Sequence, residues 1–358
     1  MPSFAAIVAL AAASAITRTR ASITRPAHPT HCIVNSVASA ANLSNCTSVD
    51  IHAFDVPAGE TITIAAAPGA SVAMAGDITF LQTNATGPLI TFQTTDILFN
   101  GHRHKIDGNG PLYWDGQGTN GGVAKPHPFV KFKGSGVFTD VTVLNSPAQA
   151  VSVGTTGPTI IRSVLVNNSA GNAGNLGHNT DGFDISASNL TLSGCVVDNQ
   201  DDCIAINSGR ALVIEDMTCV GSHGISIGSI ATNKSVSDVR ISRNTVRGGL
   251  YGLRIKVDAV AVNASVSNVL YDSNTVSGIT EFGVLITQSY PNDDTIPGTG
   301  APISGISFLG GRTHVSVDTD AFTVVVDCGA CSGIWDFSDL HATGGNGSRI
   351  APDNARIF

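Results

Sequence analysis

Several side chains that could perform acid–base chemistry recur at regular intervals in the second half of the chain. They are three carboxylates, one imidazole and two cations, namely Asp181, Asp201, Asp202, His223, Arg254 and Lys256. Hydrolysis of a glycosidic bond needs one protonated carboxyl group for the leaving oxygen and one carboxylate that activates water or attacks the sugar. Crowded carboxylates resist simultaneous ionisation, so at least one apparent pKa should rise, and the values would belong to the cluster. Neighbouring cations would hold a substrate that is itself negatively charged.

A recurring motif places these residues in register. Small residues followed by alternating aliphatic side chains start at Gly182, Cys203, Gly224, Gly252 and Gly283. A period of roughly 20 to 30 residues, with a strand beginning each unit, indicates a solenoid. Asp181, Asp202 and His223 directly precede three successive motifs, so we expect a ladder with about 4.8 Å between its rungs. Asp201 lies beside the middle rung.

The two cations occupy the third and fifth positions of the strand that starts at Gly252. Strand alternation places Arg254 and Lys256 opposite the aliphatic Leu253 and Ile255. We therefore expect both cationic groups to face solvent, one or two coils beyond His223.

The composition predicts an all-β fold. Charged residues make up only 13% of the 358 residues and hydrophobic residues 42%, and short alternating runs of Val, Ile and Thr end in turn residues. Helical solenoids are excluded because long amphipathic runs are missing from the sequence. We predict a parallel β-helix solenoid of about ten coils. Residues 30–358 should form a single domain, in which residues 29–45 cap the first coil.

The first residues have the pattern of a secretion signal. A short apolar segment at residues 4–13 is followed by the small residues Ala13, Ser14 and Ala15, which predicts a signal peptide at residues 1–15. A buried helix is the alternative. Residues 16–29 are a candidate pro-segment, and no later stretch is long and apolar enough to span a bilayer. We therefore predict a secreted, extracellular protein that does not bind membranes.

Cysteine usage agrees with export. Closeness in sequence predicts the disulfides Cys32 to Cys46, Cys203 to Cys219 and Cys328 to Cys331, with Cys195 as a buried free thiol. Zinc is the competing interpretation for Cys328 and Cys331, but no second ligand pair completes such a site. We predict no metal. Candidate glycosylation sequons occur at Asn42, Asn45, Asn84, Asn167, Asn189, Asn233, Asn263 and Asn346.

Net charge limits the partners. The formal charge of −8 at neutral pH and the absence of a basic stripe argue against nucleic acid. A polyanionic substrate would be repelled by the whole molecule, so attraction must come from Arg254 and Lys256. Protonation of histidines toward pH 5 weakens this repulsion, and we expect an acidic optimum.

Each feature has a simpler interpretation when taken alone. Paired aspartates before a strand often cap a turn or bind calcium, and His223 beside Gly224 is compatible with an ordinary turn. Arg254 and Lys256 are also compatible with a solvated strand face. The shared register favours one joint site.

Four segments resemble the signatures of the polygalacturonase family of glycoside hydrolases, in the same order. They are NTDGFD at 179–184, QDDCIAINSG at 200–209, SHGISIGS at 222–229 and RIK at 254–256. YWDGQGTNGG at 113–122 resembles a segment typical of fungal members. The resemblance covers about residues 32–331. It implies a right-handed parallel β-helix, hydrolysis of α-1,4-linked galacturonan with inversion, and no cofactor.

The resemblance also implies a role for each matched residue. Asp201 would be the general acid, and Asp181 and Asp202 would activate the water, while His223 tunes the acid. Arg254 and Lys256 would bind galacturonate carboxylates, and Asn179 and Tyr290 would help to shape the substrate subsites.

Several functions remain open at this point. We expect a monomeric endopolygalacturonase that acts on demethylated pectin, with exo-action or a hydrolase of rhamnogalacturonan or xylogalacturonan as alternatives. A pectate lyase would use calcium and release unsaturated products. A β-solenoid adhesin would bind without catalysis.

Overall fold

The protein is a parallel β-helix. This computed structural model describes residues 30–292, 296–352 and 355–357, in which every strand pairing is parallel. The predicted signal peptide at 1–15 lies outside the described residues, as does the candidate pro-segment at 16–29. The all-β prediction and the right-handed parallel β-helix implied by the resemblance are confirmed.

Each coil passes through three faces in turn, and the strands are numbered β1 to β34 in chain order. Face 1 contains β1 His31–Val34, β2 Ser48–Ile51, β5 Ser71–Met74, β8 Ile97–Asn100, β11 Gly136–Thr139, β14 Thr159–Arg162, β17 Leu190–Ser193, β22 Ser235–Ser242, β25 Ser265–Asp272, β28 Ile303–Phe308, β31 Cys331–Trp335 and β34 Ala355–Ile357. Face 2 contains β3 Phe54–Val56, β6 Ile78–Phe80, β9 Lys105–Asp107, β12 Thr142–Leu144, β15 Leu165–Asn167, β18 Val196–Asp198, β20 Thr218–Val220, β23 Thr245–Arg247, β26 Thr275–Ile279, β29 Thr313–Val317 and β32 Leu340–Gly344. Face 3 contains β4 Ile62–Ile64, β7 Ile90–Phe92, β10 Val130–Phe132, β13 Val151–Val153, β16 Phe183–Ser186, β19 Ile204–Glu215, β21 Ile225–Ile230, β24 Tyr251–Asp258, β27 Phe282–Tyr290, β30 Phe322–Cys328 and β33 Ser348–Pro352. Strand β19 continues from face 3 into face 1, where it pairs with β17 and β22.

Alternating side chains explain why the coils close around a dry interior. In β4, for example, Ile62 and Ile64 are buried whereas Thr63 between them is exposed. Stacking repeats this pattern from coil to coil, so one continuous apolar core runs along the solenoid. Aromatic rings contribute to this core, with Phe132 stacked on Phe138 at a centroid distance of 4.2 Å. Eleven strands stack in face 2 of the described chain, in agreement with the prediction of about ten coils.

The N-terminal end of the core is covered. The short helix α1 (Val37–Ala40) begins at the N-cap Ser36 and contributes the buried Ala40, and Leu43 follows it into the core. Residues 30–45, within the segment predicted to cap the first coil, thus contribute both strand β1 and buried apolar side chains to that coil. Three 3-10 helices lie in connections between strands, at Gly110–Leu112, Gly118–Asn120 and Ser169–Asn175. None of the helices in the described ranges has the length and apolar character needed to cross a membrane.

The predicted disulfides are confirmed. Sulfur atoms join Cys32 to Cys46, Cys203 to Cys219 and Cys328 to Cys331, and Cys195 is a buried free thiol. The zinc interpretation of Cys328 and Cys331 is therefore wrong, because each sulfur is bonded to the other.

Candidate active site

Face 3 brings the predicted ladder together. Phe183 pairs with Ile204, and Ile204 pairs with Ile225, so the residues two positions earlier also lie in register. Backbone hydrogen bonds extend this register into the turns, since the Gly182 N–H donates to the carbonyl of Asp202 at 2.9 Å. Asp181, Asp202 and His223 therefore occupy consecutive rungs, as predicted.

Asp201 is held beside the middle rung by three contacts. Its Oδ1 accepts the backbone N–H of Asp202 at 2.7 Å and lies 3.1 Å from Nδ1 of His223. Its Oδ2 accepts the side-chain amide of Asn179 at 3.1 Å. The backbone N–H of His223 also donates to the Asp201 carbonyl at 2.7 Å. Both the carboxylate and the turn that carries it are thus fixed.

The prediction that the two cationic groups face solvent is wrong. Arg254 and Lys256 do point away from the coil interior, but their residues are only 5% and 7% exposed. Lys256 Nζ lies 2.6 Å from Oδ2 of Asp202, and the Asp202 side chain is 1% exposed. Alternation gave the correct side of the strand, but neighbouring rungs and aromatic rings cover that side.

Tyrosine rings form part of this cover. The guanidinium carbon of Arg254 lies 4.1 Å from the ring centroid of Tyr251 and 5.5 Å from that of Tyr290. Lys256 Nζ lies 5.2 Å from the Tyr290 centroid. Such distances permit cation–π attraction. Tyr290, which was predicted to bind substrate, is therefore at the site, together with Tyr251.

These groups line one polar cleft of about 400 Å³ on face 3. All the residues predicted for the site lie along it, namely Asn179, Asp181, Asp201, Asp202, His223, Arg254, Lys256 and Tyr290. Acidic rungs lie at one end of the cleft and cations at the other. This arrangement can combine proton transfer with binding of an anion.

Comparison with known proteins identifies the family. The sequence model of Glycosyl hydrolases family 28 matches residues 46–355. The chain belongs to glycosyl hydrolase family 28. The endo-polygalacturonase of Sclerotinia sclerotiorum is 39% identical, over 85% of this chain and 81% of that protein. Endopolygalacturonase I of Aspergillus niger is 36% identical, over 88% of each chain. A solved structure, endopolygalacturonase I from Stereum purpureum complexed with two galacturonate, is similar with a TM-score of 0.91 and 53% identity, over 91% of this chain and 98% of that one.

The carboxyl groups of this family 28 site differ in their affinity for protons. Burial, followed by repulsion from Asp201, Asp184 and Asp202, raises the pKa of Asp181 well above its usual value. Burial also favours the neutral form of Asp201, but the contact with His223 and the charge of Lys256 outweigh it and lower the pKa of Asp201. Protonation of the free site is therefore favoured on Asp181 over Asp201.

Lys256 remains charged for a related reason. Burial disfavours its ammonium form, but attraction to the Asp202 carboxylate outweighs burial and raises the pKa of Lys256. The pair Asp202 and Lys256 is therefore an ion pair with little exposure to water.

Some residues that line the cleft, such as Asp184 and Gln149, or that support it from below, such as Ser226, were not predicted from the sequence. Asp184 has the same strand parity as Arg254, and its pKa is raised to about 7 by burial and then by repulsion from Asp202 and Asp201. Gln149 lies one rung before Asp181, because Val151 pairs with Phe183. Ser226 donates its hydroxyl to Oδ1 of Asp202 at 2.8 Å. Extending the motif register by one coil would have located Gln149, and parity would have located the other two.

Three groups of the site have the spacing of a cation site. Ligand atoms of Asp201, Asp202 and His223 lie within 4.8 Å of one another. Lys256 already neutralises Asp202, and His223 contacts Asp201. We therefore propose no metal at this position.

Proposed function

We propose that this family 28 protein is an endopolygalacturonase that hydrolyses α-1,4 glycosidic bonds between galacturonate residues of polygalacturonate. The observation that carries the proposal is the cleft in which the carboxylate ladder of face 3 adjoins two buried cations. Its similarity to endopolygalacturonases of three fungi supports both the substrate and the endo mode.

The acid–base steps are divided among three carboxyl groups. Asp201 donates a proton to the leaving oxygen, while Asp181 and Asp202 activate the attacking water. Because protonation of the free site favours Asp181 over Asp201, substrate binding has to shift proton affinity toward Asp201. A galacturonate carboxylate placed beside Lys256 offsets the ammonium charge that helps to keep Asp201 ionised, which favours this shift. His223 contacts Oδ1 of Asp201, and this contact tunes the proton affinity of the Asp201 carboxyl group.

Arg254 and Lys256 bind the substrate carboxylates. The Nε–H of Arg254 is buried and has no protein acceptor among the described residues, so it is available to an anionic ligand. Guanidinium and carboxylate groups form strong, directional pairs, especially where water is scarce. Tyr290 packs against both cations and contributes to the same subsite. Asn179 lies at the opposite end of the cleft, against the acid.

The attacking water has a place beside Asp181. The Oδ1 atom of Asp181 is buried and has no protein partner in the part of the chain that is described, and the same is true of Gln149 Oε1 on the preceding rung. Asp181 and Gln149 both line the cleft, and a water molecule bound there would supply the donor that these two oxygens lack. Activation of water without a covalent intermediate implies inversion at the anomeric carbon.

The proposed substrate also indicates where the protein acts. We propose that the signal peptide at residues 1–15 directs secretion, and that the mature chain acts as a monomer on demethylated pectin outside the cell. The three disulfides agree with an oxidising environment.

The test is hydrolysis of polygalacturonate at mildly acidic pH. Early products should be mixed oligomers with new reducing ends, and proton NMR should detect the inverted anomer first. Asp201→Asn should lower the rate by at least about a hundredfold, the scale of general acid catalysis, whereas Asp55→Asn on the exposed side of β3 should not. Unsaturated products would indicate a lyase, and monomer alone would indicate exo-action. Either result, or uncut polymer, would contradict the proposal.

A further inference from the structure

We propose that Thr119, in the loop between β9 and β10, is a positioning residue that orients the Asn179 amide and, through it, the carboxylate of Asp201. This inference rests on the proposed function, in which Asp201 is the acid. Thr119 and Asn179 are 60 residues apart, yet two hydrogen bonds join them. Thr119 itself does not line the active-site cleft.

The loop that carries Thr119 is fixed by a salt bridge at its base. Asp115 accepts the backbone N–H groups of Gln117 at 3.0 Å and Val123 at 2.7 Å. Lys125 Nζ lies 2.8 Å from Asp115, and its side chain is only 1% exposed. These contacts close the segment into a compact turn. Thr119 is therefore presented to Asn179 by a braced loop.

The chemistry of the contacts permits one orientation of the Asn179 amide. Its Oδ1 accepts the backbone N–H of Thr119 at 3.0 Å and the Thr119 hydroxyl at 3.2 Å. Its Nδ2 donates to Oδ2 of Asp201 at 3.1 Å. A flipped amide would face donor with donor at Thr119 and acceptor with acceptor at Asp201. Together with a weaker contact from Asn120 Nδ2 at 3.5 Å, Thr119 thus selects the orientation in which Asn179 donates to the acid.

The position of Gly118 shows how closely the loop approaches Asn179. Its φ of +55° lies in the left-handed region, and a Cβ added there would be 2.2 Å from Asn179 Oδ1. Any side chain at residue 118 must therefore displace the loop or the amide. The neighbouring glycine is what allows Thr119 to reach Asn179.

Asn179 holds the Asp201 oxygen that His223 does not contact. Oδ1 is occupied by the Asp202 N–H and by His223, and Oδ2 receives the Asn179 amide. Loss of the amide would free the carboxylate to rotate about its bond to Cβ. It would also remove a donor that favours the ionised form, so the pKa of Asp201 would rise. Substrate binding through Arg254 and Lys256 would be unaffected.

The first variant set removes or restores one hydroxyl. Thr119→Val should lower kcat by about threefold to tenfold, the worth of one hydrogen bond, with KM within twofold of wild type. The alkaline limb of the kcat profile should move to higher pH, because deprotonation of Asp201 becomes harder. Thr119→Ser keeps the hydroxyl and should retain the wild-type kcat and the wild-type position of the alkaline limb. Thr191→Val on the outer side of β17 is the remote control.

A mutant cycle separates positioning from a general effect of the loop. In an Asn179→Ala background, Thr119→Val should have no further effect on kcat, because its path to Asp201 is already broken. Gly118→Ala should resemble Thr119→Val. A ¹³C NMR titration of the Asp201 carboxyl group gives a readout that needs no activity, and Thr119→Val should raise its midpoint.

Two results would overturn the inference. One is a wild-type kcat, pH profile and Asp201 titration in both Thr119→Val and Gly118→Ala. The other is an equal loss from Thr119→Val with and without the Asn179 side chain. Failure of the proposed function looks different, because wild-type protein would then leave polygalacturonate uncut while the Asp201 titration still tests the role of Thr119.

Discussion

Replacing Asp184 with asparagine should remove part of the pH dependence of stability. Asp184 lies in the cleft with Asp201 and Asp202, and burial followed by repulsion from Asp202 and Asp201 raises its pKa from 3.8 to about 7. Between these two values the folded state binds a proton that the unfolded state releases, so the free energy of unfolding falls as the pH rises. The difference corresponds to at most about 4 kcal/mol, at about 1.4 kcal/mol for each tenfold change in proton affinity.

The assay is guanidinium unfolding at pH 4 and pH 7. Asparagine has the size of the neutral carboxyl group and cannot ionise, so Asp184→Asn should lose less stability than wild type between the two pH values, by up to about 4 kcal/mol. Asp55→Asn, at an exposed strand position, should keep the wild-type dependence. Parallel pH profiles for Asp184→Asn and wild type would refute the reasoning from burial and repulsion.

Two further changes test the elements that support the cleft. Lys256→Met should cost about 3–5 kcal/mol of stability at pH 7, because it leaves the buried Asp202 carboxylate without its cation. Thermal and guanidinium unfolding measure this loss, and Lys234→Met, at an exposed position, is the control. Equal stability of the two variants would contradict the prediction. Replacing both Cys203 and Cys219 with serine should cost about 3 kcal/mol, since the disulfide closes a loop with a sequence separation of 16. An unfolding midpoint unchanged from wild type would show that this disulfide adds no stability.

The sequence was sufficient for the fold and the catalytic rungs because both depend on one periodic feature. Each motif begins with a small residue at a tight turn, and a Cβ on Gly182 would lie 2.5 Å from the carbonyl oxygen of Cys203 in the next coil. Close approach between coils therefore fixes where each strand starts. Once those starts are known, Asp181, Asp202 and His223 must stack.

Contacts between loops could not be predicted in the same way. The resemblance marked residues 113–122 as a shared segment, but strand periodicity carries no information on where a long connection folds back. Thr119 reaches Asn179 through a turn that depends on the salt bridge between Asp115 and the buried Lys125. A contact of this kind can be found only from coordinates, because neither Thr119 nor the residues that hold its loop occupy a repeating position.

The burial of the cations also changes how substrate recognition should be understood. Lys256 lies 2.6 Å from Asp202, so much of its charge is already compensated before any ligand arrives. Arg254 has no carboxylate partner within the described ranges, and its guanidinium lies against the Tyr251 ring with Nε unbonded. A protein with a formal charge of −8 can therefore attract a polyanion through Arg254, while Lys256 is already paired with Asp202 beside the acid. Arg254 thus has its charge free for the substrate, whereas Lys256 divides its charge between the substrate and Asp202, although both occupy the same strand two residues apart.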